Sequence, residues 1–432
     1  MSENKDIKTA LPKLRFPEFI GKNAWPIKSL GDIAKFYKGK GLPKNKISID
    51  GNYPCVHYGE LFTTYQEVIN SIINRTDTTD CFLSKQNDVL MPTSDVTPNG
   101  LAKASCINLN DIYLGGDIMV IRFKSTNING EFIARYIRKE ENNILRLVSG
   151  TTVCHLYSSS MEKFELYIPL IDEQTKIAEC LSSLDDAISG VSDKIEALKE
   201  YKKGLMQQLF PAEGKTTPAF RFPEFKGACE WEEVTLDSVC ELVRGPFGGA
   251  LKKDIFTQSG YAVYEQAHAI YGNFCKFRYF INQEKYNELI RFSVKPNDII
   301  MSCSGTMGKF AIIPNGSNEG VINQALLKLS VKKGCNVIFI KALLELNSTQ
   351  NQLLSQSAGG AIKNVVSVSE IKKIKLKVPS LANPLISNAE QTIIANCLMS
   401  LDNLIESETN QLKQLKEHKK GLMQQLFPTL NE

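Results

Sequence analysis

The residue types that could do chemistry are present in this chain, but their spacing does not assemble a catalytic set. An amino-methyltransferase needs an Asn-Pro-Pro-aromatic element, and the nearest match, Asn383-Pro384-Leu385, is interpreted as a turn. The segment Gly305-Thr306-Met307-Gly308-Lys309 is similar to a phosphate loop, but it lacks the first glycine and the terminal Ser or Thr of that motif. We therefore predict no enzyme. The segment is interpreted as a Gly-rich turn that offers Lys309 and backbone N–H groups to a phosphate, with a plain hairpin turn as the alternative.

Basic side chains recur at the same place in two parts of the chain. The first cluster comprises Lys35, Lys38, Lys40, Lys44 and Lys46, and the matching stretch carries Arg244, Lys252 and Lys253, with Lys38 aligned to Arg244. Because each neutralised phosphate releases counterions, such clusters predict nucleic-acid binding whose affinity falls with salt. A solvated lysine-rich loop is the alternative, and a net charge of only +4 does not decide between the two.

Reading bases in the major groove requires side chains that present paired hydrogen-bond donors and acceptors. The candidates for DNA contact on predicted loops are Ser94, Asn99 and His155 in the first half, and Gln266, His268, Ser304, Lys363 and Asn364 in the second. Structural roles are the alternative for the histidines. Packing likewise competes with base stacking as the role of three tyrosines, Tyr58, Tyr264 and Tyr271. A lysine run is interpreted as a solvated strand face, with contact to the DNA backbone as the alternative: Lys372, Lys373, Lys375 and Lys377.

Length and composition exclude several classes of protein. A chain of 432 residues is long enough for two or three domains, and 43% apolar with 23% charged residues is ordinary for a globular protein. No apolar run approaches a membrane span, and the first residues lack the apolar core of a signal peptide, so we expect a cytoplasmic protein. The 11 cysteines form no C-x-x-C pair and only 4 histidines are present, so reduced thiols and no metal site are predicted.

The most informative feature of the chain is an internal duplication. RFPEF occurs at Arg15–Phe19 and again at Arg221–Phe225, an offset of 206, and NDVLM at Asn87 matches NDIIM at Asn297, an offset of 210. EQTKIAECLSSLDDAI from Glu173 aligns with EQTIIANCLMSLDNLI from Glu390, and KKGLMQQLFP is identical at 202–211 and 419–428, both at an offset of 217. Because the frame is kept while loops change length, the chain is a tandem pair of one two-part module.

Each module is predicted to end in a long helix with the seam of a coiled coil. Apolar residues follow alternating steps of four and three, first at Ile177, Leu181, Leu184, Ile188, Val191, Ile195 and Leu198, then at Ile394, Leu398, Leu401, Ile405, Leu412 and Leu415. We expect Asp172 to cap the first helix, Ser387 and Glu390 to form a capping box on the second, and either helix to end or bend at Gly204 or Gly421. A helix from Glu173 to Leu209 would be roughly 55 Å long at about 1.5 Å per residue. A single helix of this length needs a partner to cover its apolar seam. Pairing within the chain is preferred to a homodimer because the duplication supplies the partner.

The bodies that precede the helices are rich in short β patterns. Ile374, Leu376 and Val378 alternate with lysines, which predicts a strand with one wet face, and Phe164, Leu166 and Ile168 are its counterpart. The predicted fold is therefore mixed α/β, with two tandem β-rich α/β globules separated and followed by two long helices that form an antiparallel intramolecular coiled coil. The expected boundaries are 1–171 and 212–389 for the globules, and 172–211 and 390–432 for the helices.

This order of parts resembles the specificity subunit of type I restriction–modification systems. The resemblance runs from about Leu11 to Pro428, and the stretches RGPFGGALKK, NDIIMSCSGTMGKFAII and SAGGAIKNVVSVSEIKKIKLKVP are similar to turns of that family's target recognition domains. The resemblance implies a DNA reader that does no chemistry itself. Each globule would read one half of a split, asymmetric site in double-stranded DNA, and the paired helices would fix the gap between the halves.

The resemblance also implies partners. Two modification subunits, adenine methyltransferases that use S-adenosylmethionine, would dock on the helices, and restriction subunits that translocate DNA with ATP and Mg²⁺ would join for cleavage. No cofactor is expected in this chain itself. Two alternatives stay open: a specificity subunit that serves a fused type II nuclease–methyltransferase, and a non-catalytic coiled-coil scaffold or regulator.

Overall fold

The computed structural model describes residues 8–247, 249–355 and 367–430. By its internal contacts the chain divides into two compact units, the first unit comprising 1–192 and 410–432 and the second unit comprising 193–409. Each unit therefore contains one globule, the start of the long helix that follows it and the end of the other long helix.

The strands of the first unit, in chain order, are β1 (Thr9–Ala10), β2 (Trp25–Ser29), β3 (Ala34–Lys38), β4 (Ile47–Ser48), β5 (Tyr53–Val56), β6 (Val68–Ile69), β7 (Arg75–Thr76), β8 (Phe82–Leu83), β9 (Asp88–Pro92), β10 (Ser94–Asp95), β11 (Ser105–Ile107), β12 (Tyr113–Leu114), β13 (Ile118–Phe123), β14 (Cys154–His155) and β15 (Glu165–Tyr167). They form sheets in the orders β3-β13-β9-β11-β6, β4-β7-β5-β12-β8, β1-β2-β15 and β10-β14. The helices are α1 (Leu30–Ile33), α2 (Glu60–Thr63), α3 (Gly130–Lys139), α4 (Glu141–Leu145), α5 (Ser158–Met161) and the long α6 (Ile171–Leu209), whose end lies in the second unit.

The second unit has the strands β16 (Glu232–Thr235), β17 (Cys240–Arg244), β18 (Tyr261–Tyr264), β19 (Phe280–Ile281), β20 (Ile299–Ser302), β21 (Phe310–Ile312), β22 (Gly320–Ile322), β23 (Leu326–Val331) and β24 (Lys375–Val378). Their sheet orders are β17-β23-β20-β21, β19-β18-β22 and β16-β24. The helices are α7 (Leu236–Val239), α8 (Gln266–Tyr271), α9 (Gln283–Glu288), α10 (Val337–Glu345), α11 (Asn347–Ser355), α12 (Val368–Lys372) and the long α13 (Pro384–Leu426), whose end lies in the first unit. Mixed α/β globules, each with small open sheets, confirm the predicted fold class.

The repeated NDVLM and NDIIM motifs form the central strand of each globule. Alternate side chains of β9 enter different cores, Val89 and Met91 on one side of the sheet and Leu90 on the other, which explains an apolar run without polar interruption. The preceding Asn87 has a left-handed backbone, φ 74°, as does Asn297 in the second unit, φ 70°. Asparagine tolerates this conformation better than most residues, so the motif turns the chain into the strand in both copies.

A buried carboxylate at the start of each long helix joins it to its globule. In the first unit Arg15 donates from Nε and Nη2 to the two oxygens of Glu173, each at 2.7 Å, and Trp25 Nε1 donates to Oε2 at 3.2 Å. In the second unit Arg221 and Trp231 hold Glu390 in the same way. The carboxylates are 2% and 1% exposed, so the RFPEF, Trp and EQ motifs are conserved between the copies because together they neutralise a charge removed from water.

The identical KKGLMQQLFP segments bury the far end of each long helix in the other module's globule. Phe427 packs against Phe132 and Tyr136 in the first unit, with ring centroids 5.1 and 4.9 Å apart. Phe210 packs against Phe339 in the second unit at 5.4 Å. Each globule therefore packs against the beginning of one long helix and the end of the other.

Ion pairs show that the helix segments inside each unit run antiparallel. In the second unit Lys194 contacts Glu408 at 2.6 Å and Lys202 contacts Asp402 at 2.5 Å, so the numbers rise on one helix as they fall on the other. In the first unit Lys419 contacts Asp185 at 2.6 Å, and this pair is the copy of Lys202–Asp402 at the offset of 217. The predicted antiparallel intramolecular pairing is confirmed. The seam residues Ile177, Leu181, Ile394 and Leu398 are buried near the globules, Ile195 is buried farther along α6, and the others are half-buried.

Several details of the predicted helix ends are wrong. Helix α13 begins at Pro384 rather than at Ser387, because Asn383 accepts a hydrogen bond from the Ile386 N–H at 3.3 Å and proline suits the first helical position. Asn383-Pro384-Leu385 is therefore a helix start and not a turn. Ser387 lies inside the helix and donates to the Pro379 carbonyl, while Glu390 binds Arg221 instead of forming a capping box.

The first long helix also differs from the predicted ends. Asp172 is inside the first turn of α6 and does not precede it. Both long helices continue past Gly204 and Gly421, to Leu209 and Leu426, because the following apolar residues are buried in a globule. The predicted strand at Ile374–Val378 is confirmed, with Leu376 and Val378 buried in β24.

Substitution of Arg15 tests the buried carboxylate. Arg15→Met leaves the Glu173 charge with only the Trp25 donor, and we expect it to destabilise the first unit by about 3 kcal/mol. The measurement is the shift of the urea unfolding midpoint. Lys199→Met is the control, because its partner Glu196 is an exposed neighbour on the same helix, and it should cost less than about 0.5 kcal/mol. Equal shifts for the two variants would contradict the assignment.

Glu67 predicts a pH dependence of stability in the first unit. Burial raises the pKa of this carboxyl, but the charges of Arg138 and Lys419, the latter 2.9 Å away, outweigh burial and lower the pKa to about 2. A carboxyl with a depressed folded pKa stabilises the protein above its unfolded pKa of about 4.3, and the contribution is lost as pH falls through the folded value.

The variant Glu67→Gln should therefore be less stable than the parent by about 2 kcal/mol near neutral pH, and the difference should shrink as pH falls from about 4 toward 2. Unfolding midpoints of both proteins across this range are the measurement. A difference that stays constant with pH would show that Glu67 acts through its shape rather than through its charge.

Candidate nucleic-acid interface

Several of the sequence candidates in each unit lie at one edge of the main sheet. In the first unit β3 and β9 are both antiparallel to β13, so they run parallel to each other and end at the same edge, with Lys38 opposite Met119 and Met119 opposite Met91. Lys38 ends β3, and Ser94 follows β9. In the second unit β17 and β20 end together in the same way across β23, which places Arg244 and Ser304 at the equivalent edge.

His155 joins this edge in the first unit. The short strands β10 and β14 pair with Ser94 directly opposite His155. Lys38, His155 and the exposed Tyr157 line an open concavity of about 400 Å³, and Asp117 lies 3.6 Å from the Lys38 ammonium. Two predicted side chains from distant parts of the sequence, Lys38 and His155, thus line one concavity, and the predicted Ser94 is paired with His155.

A larger concavity of about 890 Å³ continues from Ser94 to Lys44 and includes His57, which sequence reasoning missed. Burial and the Lys44 charge lower the pKa of His57, so its imidazole is neutral near pH 7. Its Nδ1 accepts from the Gly59 N–H at 3.1 Å, which leaves Nε2–H as a donor. The signal that could have found it is a histidine directly after the β5 strand.

The remaining candidates of the first unit lie nearby on the surface. Lys40 contacts Asp80 at 2.5 Å with both side chains exposed, so its charge is shared and accessible. Asn99 is exposed on the one-turn 3-10 helix Pro98–Ala102, and the neighbouring Gly100 packs closely against Asp95 of the Ser94 loop. A side chain at Gly100 would clash with that carboxylate, so glycine permits the approach.

In the second unit the edge adjoins a concavity of about 650 Å³ that is richer in charge and amide groups. Its lining includes Gln266, Tyr271, Lys276, Arg278 and Asn323. Tyr271 is 78% exposed, while Gln266 approaches the Gly305 turn that follows Ser304. Lys276 and Arg278 were missed because they lie on an aperiodic loop, although a Lys-Phe-Arg alternation of basic and aromatic residues could have found them.

Two candidates of the second unit have structural roles. His268 is buried, with Nδ1 accepting from the Glu265 N–H at 2.9 Å and Nε2 contacting the Lys276 carbonyl at 3.1 Å. The buried Tyr264 hydroxyl donates to the Asn318 carbonyl at 2.6 Å. Tyr58 of the first unit is half-buried and packs on His57. For these side chains the packing interpretation fits the geometry, whereas Tyr271 stays available for stacking.

The glycine-rich segment after Ser302 is a hairpin turn between β20 and β21. Ser302 Oγ donates to the Thr306 carbonyl at 2.6 Å and accepts from the Lys309 N–H at 3.0 Å, so the turn is closed by its own residues. Lys309 is exposed beside it. Lys252 and Lys253 are exposed at the one-turn helix Lys253–Ile255, and Lys363 and Asn364 lie outside the described residues.

The lysine run of the second unit forms ion pairs and hydrogen bonds within its own unit. Lys372 contacts Asp237 at 2.8 Å, Lys373 contacts Glu370 at 2.8 Å, and Lys375 contacts Glu233 at 3.5 Å. Lys377 donates to the carbonyls of Ala212 and Lys215. Lys372 ends helix α12 and only Lys375 and Lys377 lie on β24, so the predicted single strand face is wrong, but the pairing favours solvated, internally paired lysines over a surface that holds DNA.

The acidic, histidine and cysteine side chains of the described part of the chain are dispersed rather than clustered. Within the ranges 8–247, 249–355 and 367–430, no group of three or more His, Cys, Asp or Glu side chains is arranged to hold a metal ion. Burial raises the pKa of the Cys55 and Cys240 thiols to about 12, which keeps them protonated and unreactive. Among these residues no helix is both long and apolar enough to cross a membrane.

Comparisons with known proteins agree with this architecture. The MjaVIII specificity subunit, a type I restriction enzyme subunit of Methanocaldococcus jannaschii, is 24% identical over 436 residues, covering 96% of this chain and 93% of the relative. The crystal structure of a type I restriction–modification S subunit from M. genitalium matches with a TM-score of 0.64 at 15% identity, covering 97% of this chain and all of that one. A type I R-M structure concerned with complex assembly and conformational transition matches with a TM-score of 0.54 at 15% identity, covering 93% and 97% of the two chains.

The family model described as the type I restriction modification DNA specificity domain matches this chain twice, at residues 22–200 and 229–417. These two matches take in both sheet edges and most of both long helices. The chain belongs to the type I restriction–modification specificity family and is a specificity subunit with two tandem target recognition domains.

Proposed function

We propose that each unit reads one half of a split, asymmetric site in double-stranded DNA, and that the chain itself does not catalyse a reaction. The observation that carries this proposal is the pair of equivalent sheet edges with different side chains. Lys38, Ser94 and His155 occupy the first edge, and their second-unit counterparts include Arg244 and Ser304. A shared scaffold with unlike reading groups suits a site whose halves differ in sequence.

The chemistry of the two edges supports distinct roles for their residues. Exposed Lys38, Lys44, Lys252, Lys253 and Lys309 suit phosphate oxygens, which position a protein on DNA without reading it. Gln266 and Asn323 offer the paired donor and acceptor that adenine requires, and the Arg278 fork matches guanine. In the first unit the neutral His57 and Ser94 provide single donors and acceptors beside the apolar Val96.

The long helices are proposed to set the gap between the half-sites and to dock partner subunits. Their seams are occupied by helix pairing within each unit, so their outer faces remain for partners. We propose two modification subunits, adenine methyltransferases with S-adenosylmethionine, and restriction subunits that use ATP and Mg²⁺ for translocation. The chain would work in the cytoplasm, where the DNA and these partners are.

Methylation mapping tests the proposal as a whole. The chain is co-expressed with the modification subunit from its own genomic neighbourhood, and N6-methyladenine is mapped across the host genome by long-read sequencing. We expect one split, asymmetric motif with a fixed gap. A genome that stays unmodified by an assembled complex would favour a scaffold, and a continuous or palindromic motif would mean that the units do not read separate half-sites.

Substitution of Gln266 tests the assignment of base contacts. If this amide pairs with adenine, Gln266→Ala should reduce discrimination at one position of one half-site by about tenfold, since a bidentate base contact contributes about 1–3 kcal/mol. The other half-site should be unchanged. Methylation rates on duplexes with each single base change are the measurement. Lys373→Ala is the matched control, because that lysine is paired with Glu370, and a change of motif in the control would refute the assignment.

A further inference from the structure

Phe247 is a phenylalanine whose side chain is almost wholly in water. It is 95% exposed, on the loop that leaves β17 after Arg244. Isolated apolar residues on a surface are common, but an aromatic ring displayed to this extent presents a large area that gains from contact with another flat, apolar surface.

The backbone that leads to Phe247 is anchored where it leaves β17. The Gly245 N–H donates to the Leu326 carbonyl at 2.9 Å, and a Cβ on Gly245 would lie 1.8 Å from the Asn323 carbonyl oxygen. Only glycine therefore lets the backbone lie against that strand end. The Ala250 N–H donates to the Phe247 carbonyl at 2.9 Å.

The surroundings of the loop match a nucleic acid rather than an apolar protein surface. Arg244 begins the loop at the sheet edge already described, and Asn323 at its base also lines the concavity with Gln266 and Arg278. Exposed Lys252 and Lys253 follow the loop. A single ring among cations and amides can stack on a base while its neighbours contact phosphates and base edges.

The first unit shows that the fold does not require this ring. At the offset of 206 the counterpart of Phe247 is Gly41, and the next residue, Leu42, is 2% exposed and has a left-handed backbone with φ 60°. In that unit the loop turns its apolar side chain into the core. In the second unit the equivalent loop presents an apolar side chain to solvent, so the ring is available for a role other than folding.

Resting on the proposed function, we propose that Phe247 is a wedge that enters the DNA duplex and stacks on a base at the half-site read by the second unit. Apolar side chains inserted between base steps unstack them and kink the duplex. Flexible pyrimidine–purine steps resist this least, so the wedge would add a preference for a deformable step that no hydrogen bond reads. The first unit, with Gly41 at this place, would leave its half-site stacked.

The test uses the complex of the full chain with its modification subunit and duplexes that carry the mapped motif. A fluorescent adenine analogue, quenched by stacking, replaces in turn each adenine of the motif and its flanks other than the methylated ones, because methyltransferases extrude their target base from the duplex. We expect emission to rise at one step of one half-site with the parent chain, to stay quenched with Phe247→Ala, and to rise again with Phe247→Trp. Affinity should fall about five- to tenfold for Phe247→Ala, with an unchanged salt dependence because no phosphate contact is lost.

Phe220→Ala, which removes another partly exposed aromatic ring outside the long helices and both sheet edges, is the control and should leave the emission as in the parent. Emission that does not rise at any position, or that still rises with Phe247→Ala, would overturn the wedge. Weakened assembly with the modification subunit and unaltered base stacking would instead show that Phe247 meets a protein. A mapped motif with any of these results leaves the proposed function standing, whereas the absence of a motif refutes that function itself.

Discussion

The structure depends on a carboxylate that water does not reach. Glu173 and Glu390 each carry a charge into the interior at the place where a globule meets a long helix, and an unpaired charge there would cost several kcal/mol. An arginine fork and an indole N–H satisfy the oxygens and so fix the direction in which the helix leaves. The remaining contacts, from the aromatic clusters to the ion pairs along the seam, require that direction.

Because the module is duplicated, the buried carboxylate and its partners occur once in each globule. Each globule holds the beginning of one helix through the carboxylate and the end of the other through a buried phenylalanine, Phe427 or Phe210. The antiparallel register is repeated by the equivalent pairs Lys419–Asp185 and Lys202–Asp402. Scaffold residues are therefore the same in both copies, whereas the sheet edges carry different side chains and are free to differ.

The long-range plan could be predicted from the sequence because it rests on periodicity and repetition. The seam of Ile177 and its successors, the wet-faced strand β24 and the mixed α/β class all follow from patterns in which many residues agree. The helix start at Pro384 was misjudged because Ser387 and Glu390 satisfy the local rule for a capping box, while the tertiary partner Arg221 takes the carboxylate. Lys276, Arg278 and His57 were missed because aperiodic loops reach an edge only through the fold.

The identity of the two KKGLMQQLFP segments has a consequence for assembly. Since each segment ends in the same Leu-Phe-Pro and both globules offer a similar aromatic socket, the sockets have little means of telling one helix end from the other. Correct pairing must then come from chain connectivity, which holds the right end at a high local concentration during folding. At high protein concentration the same interchangeability permits exchange of helix ends between molecules, and such exchange produces domain-swapped oligomers from fully native contacts.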